Sequence, residues 1–248
     1  MPLLTSLGEF GLFALMVAWR SITPPIAVRD VTHHTWVVLS RCILPVVVVV
    51  FPFGMVMALQ GLVIFNLFGA QRLLSALVGV AIFRELSPVL ASVLVASQAG
   101  SAFAAQLGAM RVQEEIDATE VMAIDPIRVH VVPRVLAVVI ATPMLNLFGS
   151  VAGVAGGFTT AVLVKGETAG VFWSNLWELT SMMDITSSLV KTAVFGLIIA
   201  LIACYQGFYT RGGANGVGRA VNNTVVYSIT IFVTANYFLT SAFFGGNS

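Results

Sequence analysis

Three ionisable residues beside long apolar runs are the best candidates for chemistry in this sequence: Arg84, its neighbour Glu85, and Lys191. Ionisable side chains in or near hydrocarbon are energetically costly and are usually paired or functional. Neighbouring helix positions point about 100° apart, so Arg84 and Glu85 cannot satisfy each other well. Lys191 is available to Glu85, which leaves Arg84 free for an anionic group such as a lipid phosphate, because a guanidinium offers bidentate hydrogen bonds. A purely structural cluster of ion pairs explains the same residues equally well.

A dense group of charges lies in residues 111–134, which hold eight of the chain's 12 basic and 11 acidic residues. Residues 112–125 contain five acids and no base, together with a narrow apolar stripe, which predicts a short acidic helix. The acids are Glu114, Glu115, Asp117, Glu120 and Asp125, and the stripe is Val112, Ile116, Thr119 and Ala123. Asp125-Pro126 is expected to end this helix, because the residue before a proline is pushed out of the α region. The helix is either a solvated loop element or a docking helix for a groove on a cytoplasmic partner, and the residues alone do not separate the two.

Motifs for self-sufficient catalysis are missing from the sequence. There is no GxxxxGK[ST] phosphate loop, no GxSxG elbow, no HExxH and no paired-cysteine metal site. His33, His34 and His130 are expected to be interfacial surface residues, and Cys42 and Cys204 have no metal-ligand spacing. We therefore predict no catalytic residues and no metal site. An intramembrane lipid-modifying enzyme would have only Glu85 with Ser87 as base and nucleophile, and a non-transporting membrane scaffold is a further alternative.

The composition indicates that lipid is the main solvent of this chain. Of its 248 residues 58% are hydrophobic and 9% are charged, whereas a soluble domain carries about 25% charge. Charge-free runs cover residues 42–71, 86–110, 135–164, 192–210 and 220–248, and each approaches or exceeds the roughly 20 residues that a helix needs to cross a bilayer. Because backbone groups in hydrocarbon must be satisfied within the segment, the sequence predicts an all-α integral membrane protein with five transmembrane helices. The formal net charge of +1 implies no nucleic-acid partner.

The basic residues predict the orientation of the five spans. With the N-terminus in the cytoplasm, eight arginines fall inside, against Arg72 and Lys165 outside. The inside residues are Arg20, Arg29, Arg41, Arg111, Arg128, Arg134, Arg211 and Arg219. The acidic helix then faces the cytoplasm, and the C-terminus lies outside.

The first residues lack a basic region, so we expect no cleaved signal peptide. They do contain apolar residues at the spacing of an amphipathic interfacial helix, which we interpret as an elbow. These are Leu3, Leu7, Phe10, Ala14 and Val17.

Two other segments admit two interpretations each. Residues 73–83 are too few to cross a membrane and form either an interfacial stretch or the outer extension of span two. Residues 165–184 hold Trp173 and Trp177 among polar residues, which predicts either an outer-surface helix or a loop anchored by the two tryptophans.

Small residues repeat every four positions in spans two and three. One stripe continues from Ala96 through Gly100, Ala104 and Gly108, and the other comprises Gly149, Gly153 and Gly157. Such faces let another helix backbone approach closely. We interpret them first as packing surfaces, with a moving or dimeric interface as the alternative.

Residues 84–137 carry a long ordered pattern, RELSPVLASVLVASQAGSAFAAQLGAMRVQEEIDATEVMAIDPIRVHVVPRVLA. This pattern resembles the signature of the MlaE/YrbE family, the permease subunits of ABC transporters that work with MCE proteins. The EEIDATEVMAIDP core is its most specific part, and the resemblance extends from about Arg41 to the C-terminus. Residues 212–228, GGANGVGRAVNNTVVYS, are similar to the actinobacterial YrbE branch.

The resemblance implies a permease that moves lipids (phospholipid, fatty acid or sterol) between the cytoplasmic membrane and an MCE protein tunnel. It also implies an elbow helix, five transmembrane helices, and a cytoplasmic coupling helix between the second and third. We accordingly expect one permease domain over residues 1–248. Its parts are an elbow region (1–40), the five spans (42–71, 84–110, 133–164, 186–210 and 219–244), the coupling helix (112–125) and an outer-surface helix (168–180).

Site roles follow from the same resemblance. Arg84, Glu85 and Lys191 would be polar members of a lipid-holding cavity near its outer mouth. The resemblance implies a separate cytoplasmic ABC ATPase that uses ATP and Mg²⁺, whereas this chain binds no cofactor and is not an enzyme. Coupling to that ATPase is assigned to a set of residues within the acidic segment. That set is Glu114, Glu115, Ile116, Asp117, Glu120, Met122 and Asp125.

Two further expectations concern one departure from the family pattern and the protein partners. Many relatives carry arginine where this chain has Gln98, so the role of that charge is not transferred to this residue. The resemblance implies a permease dimer beneath an assembly of MCE-domain proteins. We favour a heterodimer over a homodimer, because permeases of the actinobacterial branch pair as non-identical subunits.

Overall fold

All regular structure in the described residues is helical, which confirms the all-α prediction. A computed structural model describes residues 2–23, 27–69, 73–166 and 168–245, with side chains from residue 8 onward except at 68 and 179. The α-helices, in chain order, are α1 (Pro2–Ile22), α2 (Val28–Phe68), α3 (Leu74–Ala81), α4 (Ser87–Val95), α5 (Ser101–Val112), α6 (Glu115–Val121), α7 (Val132–Phe158), α8 (Ala169–Leu179), α9 (Met182–Phe208) and α10 (Gly213–Phe244). Arg72 and the side chains of Leu3 and Leu7, used in the expectations above, lie outside the described part.

Five helical segments of the described chain are long and apolar enough to cross a membrane. We call them spans one to five: Val28–Leu67, Leu74–Val112, Ile127–Val164, Met182–Phe208 and Gly213–Phe244. Span one begins well before the charge-free run at Cys42, because a helix continues through charged residues such as Arg29 and Asp30 where they leave the hydrocarbon. Residues 73–83 are the extension of span two rather than a separate interfacial stretch, since α3 leads directly into that span.

Spans two and three contain wide π turns, which occur often at functional sites. Span two has them at Ile82–Leu86 and Ala96–Gly100, so Arg84, Glu85 and Gln98 all lie in π turns. Pro88 follows the first of these turns and has no N–H to donate to the carbonyl of Arg84, four residues earlier. The α-type hydrogen bond to that carbonyl is therefore absent.

The chain divides into two compact units, which are described separately. Unit 1 comprises Met1–Ser40, Val95–Ala141 and Val194–Thr234. In it, the buried ring of Phe13 packs edge-on against Tyr205 and Tyr209, at centroid distances of 5.6 and 5.9 Å. Leu12 and Trp19 are exposed on another face of α1. Helix α1 thus packs one apolar face against the protein and leaves another apolar face exposed. An interfacial elbow helix requires this arrangement.

Unit 2 comprises Arg41–Leu94, Thr142–Ala193 and Ala235–Ser248. Its core joins α3 to α8, and it includes Leu74, Val78, Phe172 and Leu176 among its fully buried side chains. Residues 169–179 are therefore a packed helix and not a plain loop, while Trp173 and Trp177 on α8 remain largely exposed.

The two small-residue stripes are packing surfaces within the chain. In unit 1, Gly100 faces Ile199 and Thr224, and Gly108 faces Thr210 and Val217. In unit 2, Gly149 and Gly153 face Val50 of α2. All members of both stripes, including Ala104 and Gly157, are buried in one copy of the chain.

Candidate functional site

Glu85 is the centre of a hydrogen-bonded cluster in unit 2. Its Oε1 accepts from Lys191 Nζ at 3.1 Å and from Thr240 Oγ1 at 2.9 Å, and its Oε2 accepts from Asn236 Nδ2 at 2.8 Å. Spans two, four and five each supply at least one member. The expected pairing of Glu85 with Lys191 is therefore confirmed.

Lys191 is fully buried, and its ammonium group uses all three of its donors. Besides Glu85, it donates to Thr240 Oγ1 at 2.7 Å and to the backbone oxygen of Arg84 at 2.9 Å. This backbone oxygen is the one whose α-helical donor, the N–H of residue 88, is missing because that residue is a proline. The ammonium group of Lys191 on span four thus donates to a carbonyl of span two to which Pro88 cannot donate. Its three acceptors offset the free-energy cost of burying the lysine charge.

Arg84 is not left free, which corrects the expectation from the sequence. Its Nε donates to Asp184 Oδ1 at 2.7 Å, and its guanidinium carbon lies 4.1 Å from the centroid of the Phe244 ring. Asp184 was not foreseen as a partner because it lies 100 residues from Arg84. The two Nη groups have no hydrogen-bond partner among the described residues, and a third of the arginine side chain is exposed.

The cluster as a whole is charge-balanced. It contains two cations, Arg84 and Lys191, and two carboxylates, Glu85 and Asp184. The hydroxyl of Ser87 is buried and donates to the backbone oxygen of Asn146 at 2.8 Å, so it does not meet Glu85. The base and nucleophile of the enzyme alternative are therefore not brought together.

Three members of this cluster were not predicted, Asp184, Asn236 and Thr240, although their helical spacing is a signal in the sequence. Asp184 and Lys191 are seven residues apart on α9, which places them on one helix face. Asn236 and Thr240 are four residues apart on α10 and share a face in the same way. Polar residues repeated on one face of a membrane helix predict a shared polar partner.

The acidic segment forms a helix shorter than predicted. Helix α6 covers only Glu115–Val121, because the flanking residues Glu114 and Ala123 have left-handed backbone, with φ of 61° and 60°. The helix thus ends before Asp125-Pro126, which corrects the expected boundary. Ile116 and Thr119 of the predicted stripe are buried, whereas Val112 and Ala123 are exposed.

The residues expected to couple to an ATPase fall into two groups. Asp117 pairs with Arg111, Asp125 pairs with Arg20 at 2.5 Å, and Ile116 is core, so these three fix α6 within unit 1. The other members, Glu114, Glu115, Glu120 and Met122, are exposed together with Val121, whose exposed fraction is 88%. A cleft of about 560 Å³ lies beside them, lined by Arg20, Arg111, Glu120, Asp125, Phe208 and Tyr209 among others.

The fold and the site together define a polytopic helical membrane protein with a charge-balanced polar cluster in unit 2. The Permease MlaE family model matches residues 31–242, so the chain belongs to that family.

Three relatives extend the comparison. A probable ABC transporter permease protein of Rickettsia conorii is 36% identical over 239 residues, which cover 96% of this chain and 92% of the relative. A probable ABC transporter permease protein of Synechocystis is 37% identical over 193 residues, covering 78% of this chain and 73% of the relative. The intermembrane phospholipid transport system permease protein MlaE of Haemophilus influenzae is 35% identical over 193 residues, covering 77% and 74%. None of these three sources is actinobacterial, so they lend no support to the YrbE branch.

Proposed function

We propose that this chain is the membrane-spanning permease subunit of an ABC transporter that moves lipids, and that residues 1–248 work as one permease domain. The observation that carries the proposal is the family match over residues 31–242, which includes nearly all of the five spans. The similarity to the intermembrane phospholipid transport permease of Haemophilus influenzae supports lipid as the substrate. The chain is a non-catalytic component, and a separate ATPase uses ATP and Mg²⁺.

The exposed part of α6 is proposed as the contact with that ATPase. Its acids Glu114, Glu115 and Glu120 and its apolar residues Val121 and Met122 give a mixed surface, which a partner groove with basic walls would complement. The excess of arginines on the same side of the spans supports a cytoplasmic position. We accordingly place the N-terminus in the cytoplasm, the C-terminus outside, and the spans in the inner membrane.

The cluster around Glu85 is proposed to hold the lipid headgroup. The two Nη groups of Arg84 have no hydrogen-bond partner in the described chain, and the contact with Asp184 is made at Nε. A guanidinium edge of this kind matches the two oxygens of a phosphate. Glu85 and Lys191 then act as the polar frame behind Arg84.

A second permease subunit is proposed to pair through span five. The stripe glycines are unavailable for a dimer because they are buried within one copy. Span five is the least buried of the five spans in the described chain. Tyr227, Thr230, Thr234 and Tyr237 are exposed on it at spacings of three and four residues, as on a helix-pairing face.

The identity of the pairing subunit and the MCE proteins rest on the family resemblance. We keep the heterodimer, the actinobacterial branch and the MCE tunnel as proposals. The subunit list of the isolated native complex tests whether the second permease is identical and whether MCE proteins are present.

The test of the proposed function is lipid-stimulated ATP hydrolysis by the purified complex. We expect an ATPase to co-purify and its rate to rise with added phospholipid. Lysine at Glu114, Glu115 and Glu120 should reduce that stimulation while leaving the fold intact, because the three side chains are exposed. A complex without an ATPase, or with hydrolysis indifferent to lipid, rejects the function, and unchanged stimulation in the lysine variant rejects the coupling surface.

A further inference from the structure

The guanidinium of Arg84 is held from two directions, by a carboxylate at one edge and by an aromatic ring on one face. We propose that Asp184 and Phe244 are positioning residues that leave only the Nη edge of Arg84 open, oriented to receive a phosphate group. This inference rests on the proposed lipid function and adds two residues that take no part in the roles assigned above.

Asp184 is a rigid support because its carboxylate is itself fixed. It is fully buried in the first turn of α9, and its Oδ2 accepts from the backbone N–H of Ser181 at 2.9 Å and from Ser181 Oγ at 3.3 Å. This leaves Oδ1 directed at Arg84 Nε, at 2.7 Å. A buried carboxylate without a cation is strongly unfavourable, so Asp184 keeps Arg84 in place.

Phe244 restricts the remaining freedom of the same side chain. Its ring centroid lies 4.1 Å from the guanidinium carbon, well within cation–π range. With Nε used and one face covered, the accessible donors of Arg84 are its Nη groups. These are the groups that bind two phosphate oxygens side by side.

The other carboxylate of the cluster does not compete with a phosphate for the Nη groups of Arg84. Glu85, the carboxylate next in sequence, already accepts from Lys191, Thr240 and Asn236. It is therefore not drawn to the free edge of Arg84. The two carboxylates have separate tasks, Asp184 for Arg84 and Glu85 for Lys191.

The experiment measures headgroup selectivity in the intact ATPase complex. Half-saturating concentrations for stimulation are determined with short-chain phosphatidylcholine and with the matching diacylglycerol, which lacks the phosphate. Inorganic phosphate is added in a third series to separate a lipid headgroup from the free anion. The variants are Asp184→Asn, Phe244→Leu, Arg84→Gln and, as a matched control, Thr186→Ala, an exposed residue of α9 whose hydroxyl donates to the backbone oxygen of Met182.

We expect the preference for phosphatidylcholine over diacylglycerol to fall about tenfold in Asp184→Asn and about threefold in Phe244→Leu. Thr186→Ala should keep the wild-type preference. Because the preference compares two lipids on one sample, general loss of folded protein does not change it. Competition by millimolar inorganic phosphate in the wild type would assign the site to the free anion and overturn the lipid assignment.

The remaining outcomes separate this inference from the proposed function. A wild-type preference in Asp184→Asn and Phe244→Leu, with a reduced preference in Arg84→Gln, overturns the positioning roles alone. An unchanged preference in Arg84→Gln overturns the headgroup site as well. A wild-type complex that does not respond to lipid rejects the function on which both rest.

Discussion

Lys191 Nζ lies 3.1 Å from Glu85 Oε1, and the lysine is fully buried while 40% of the glutamate side chain is exposed. Because the two charges differ in burial, removing the lysine charge and removing the glutamate charge should change the stability of the protein by different amounts. The pair joins span four to span two and, through Thr240, to span five.

Replacement of Lys191 by Met should therefore destabilise the protein. It leaves Glu85 without its cation and the backbone oxygen of Arg84 without its donor. We expect the melting temperature of the purified complex to fall by about 5 °C, the shift for roughly 2 kcal/mol in a chain of this size. The double variant Glu85→Gln with Lys191→Met should recover part of the loss, and strictly additive effects would contradict the pairing.

Gly54 is expected to tolerate no side chain at its contact with the backbone of Gly153. A Cβ on Gly54 of α2 would overlap the backbone carbonyl of Gly153 on α7. Gly54→Ala should cost at least about 2 kcal/mol, because two backbones would have to separate. The matched control is Gly218→Ala in α10, where nothing lies within 4 Å of the added Cβ. Equal melting temperatures for the two variants would contradict the close approach of these helices.

Ala123→Gly should stabilise the end of α6. Ala123 has a φ of 60°, a conformation that costs an alanine about 1 kcal/mol and a glycine almost nothing. The amide of Ile124, which donates to the carbonyl of Thr119, should then exchange its hydrogen about fivefold more slowly. Ala118→Gly, inside α6, should have the opposite effect. Faster exchange in Ala123→Gly would show that the left-handed turn is not strained.

Thr234→Cys should form cross-linked permease pairs in membranes. Thr234 is exposed on the face of span five that we propose as the dimer contact, and the native Cys42 and Cys204 are buried. Val48→Cys is the control, because Val48 is similarly open to lipid on span one but lies outside the proposed face. Cross-linking of Val48→Cys without Thr234→Cys would move the contact to span one.

The sequence predicts the spans of this fold better than their ends. Long apolar runs identify all five membrane helices of the described chain, since hydrocarbon admits few alternatives. The start of span one at Val28 is missed because a helix needs no hydrophobicity once it leaves the hydrocarbon. The early end of α6 is missed because a left-handed alanine has no signature in the sequence.

For the site as well, the sequence indicates which residues need partners better than it indicates which partners they find. Burial cost alone indicates that Glu85 requires Lys191, so that pairing is predictable. The partner of Arg84 is not, because Asp184 becomes its neighbour only when spans two and four pack. The small-residue stripes likewise indicate close contact, but only the fold shows that the contact is within one chain.

The balance of two positive and two negative side chains in the cluster has an electrical consequence. A group with no formal net charge exchanges no work with the transmembrane potential when it shifts as a body, whereas a single charge gains or loses about 2.3 kcal/mol per 100 mV. Translation of this cluster along the membrane normal should thus be insensitive to voltage. Flux of a zwitterionic lipid in proteoliposomes should be the same with and without an imposed potassium diffusion potential.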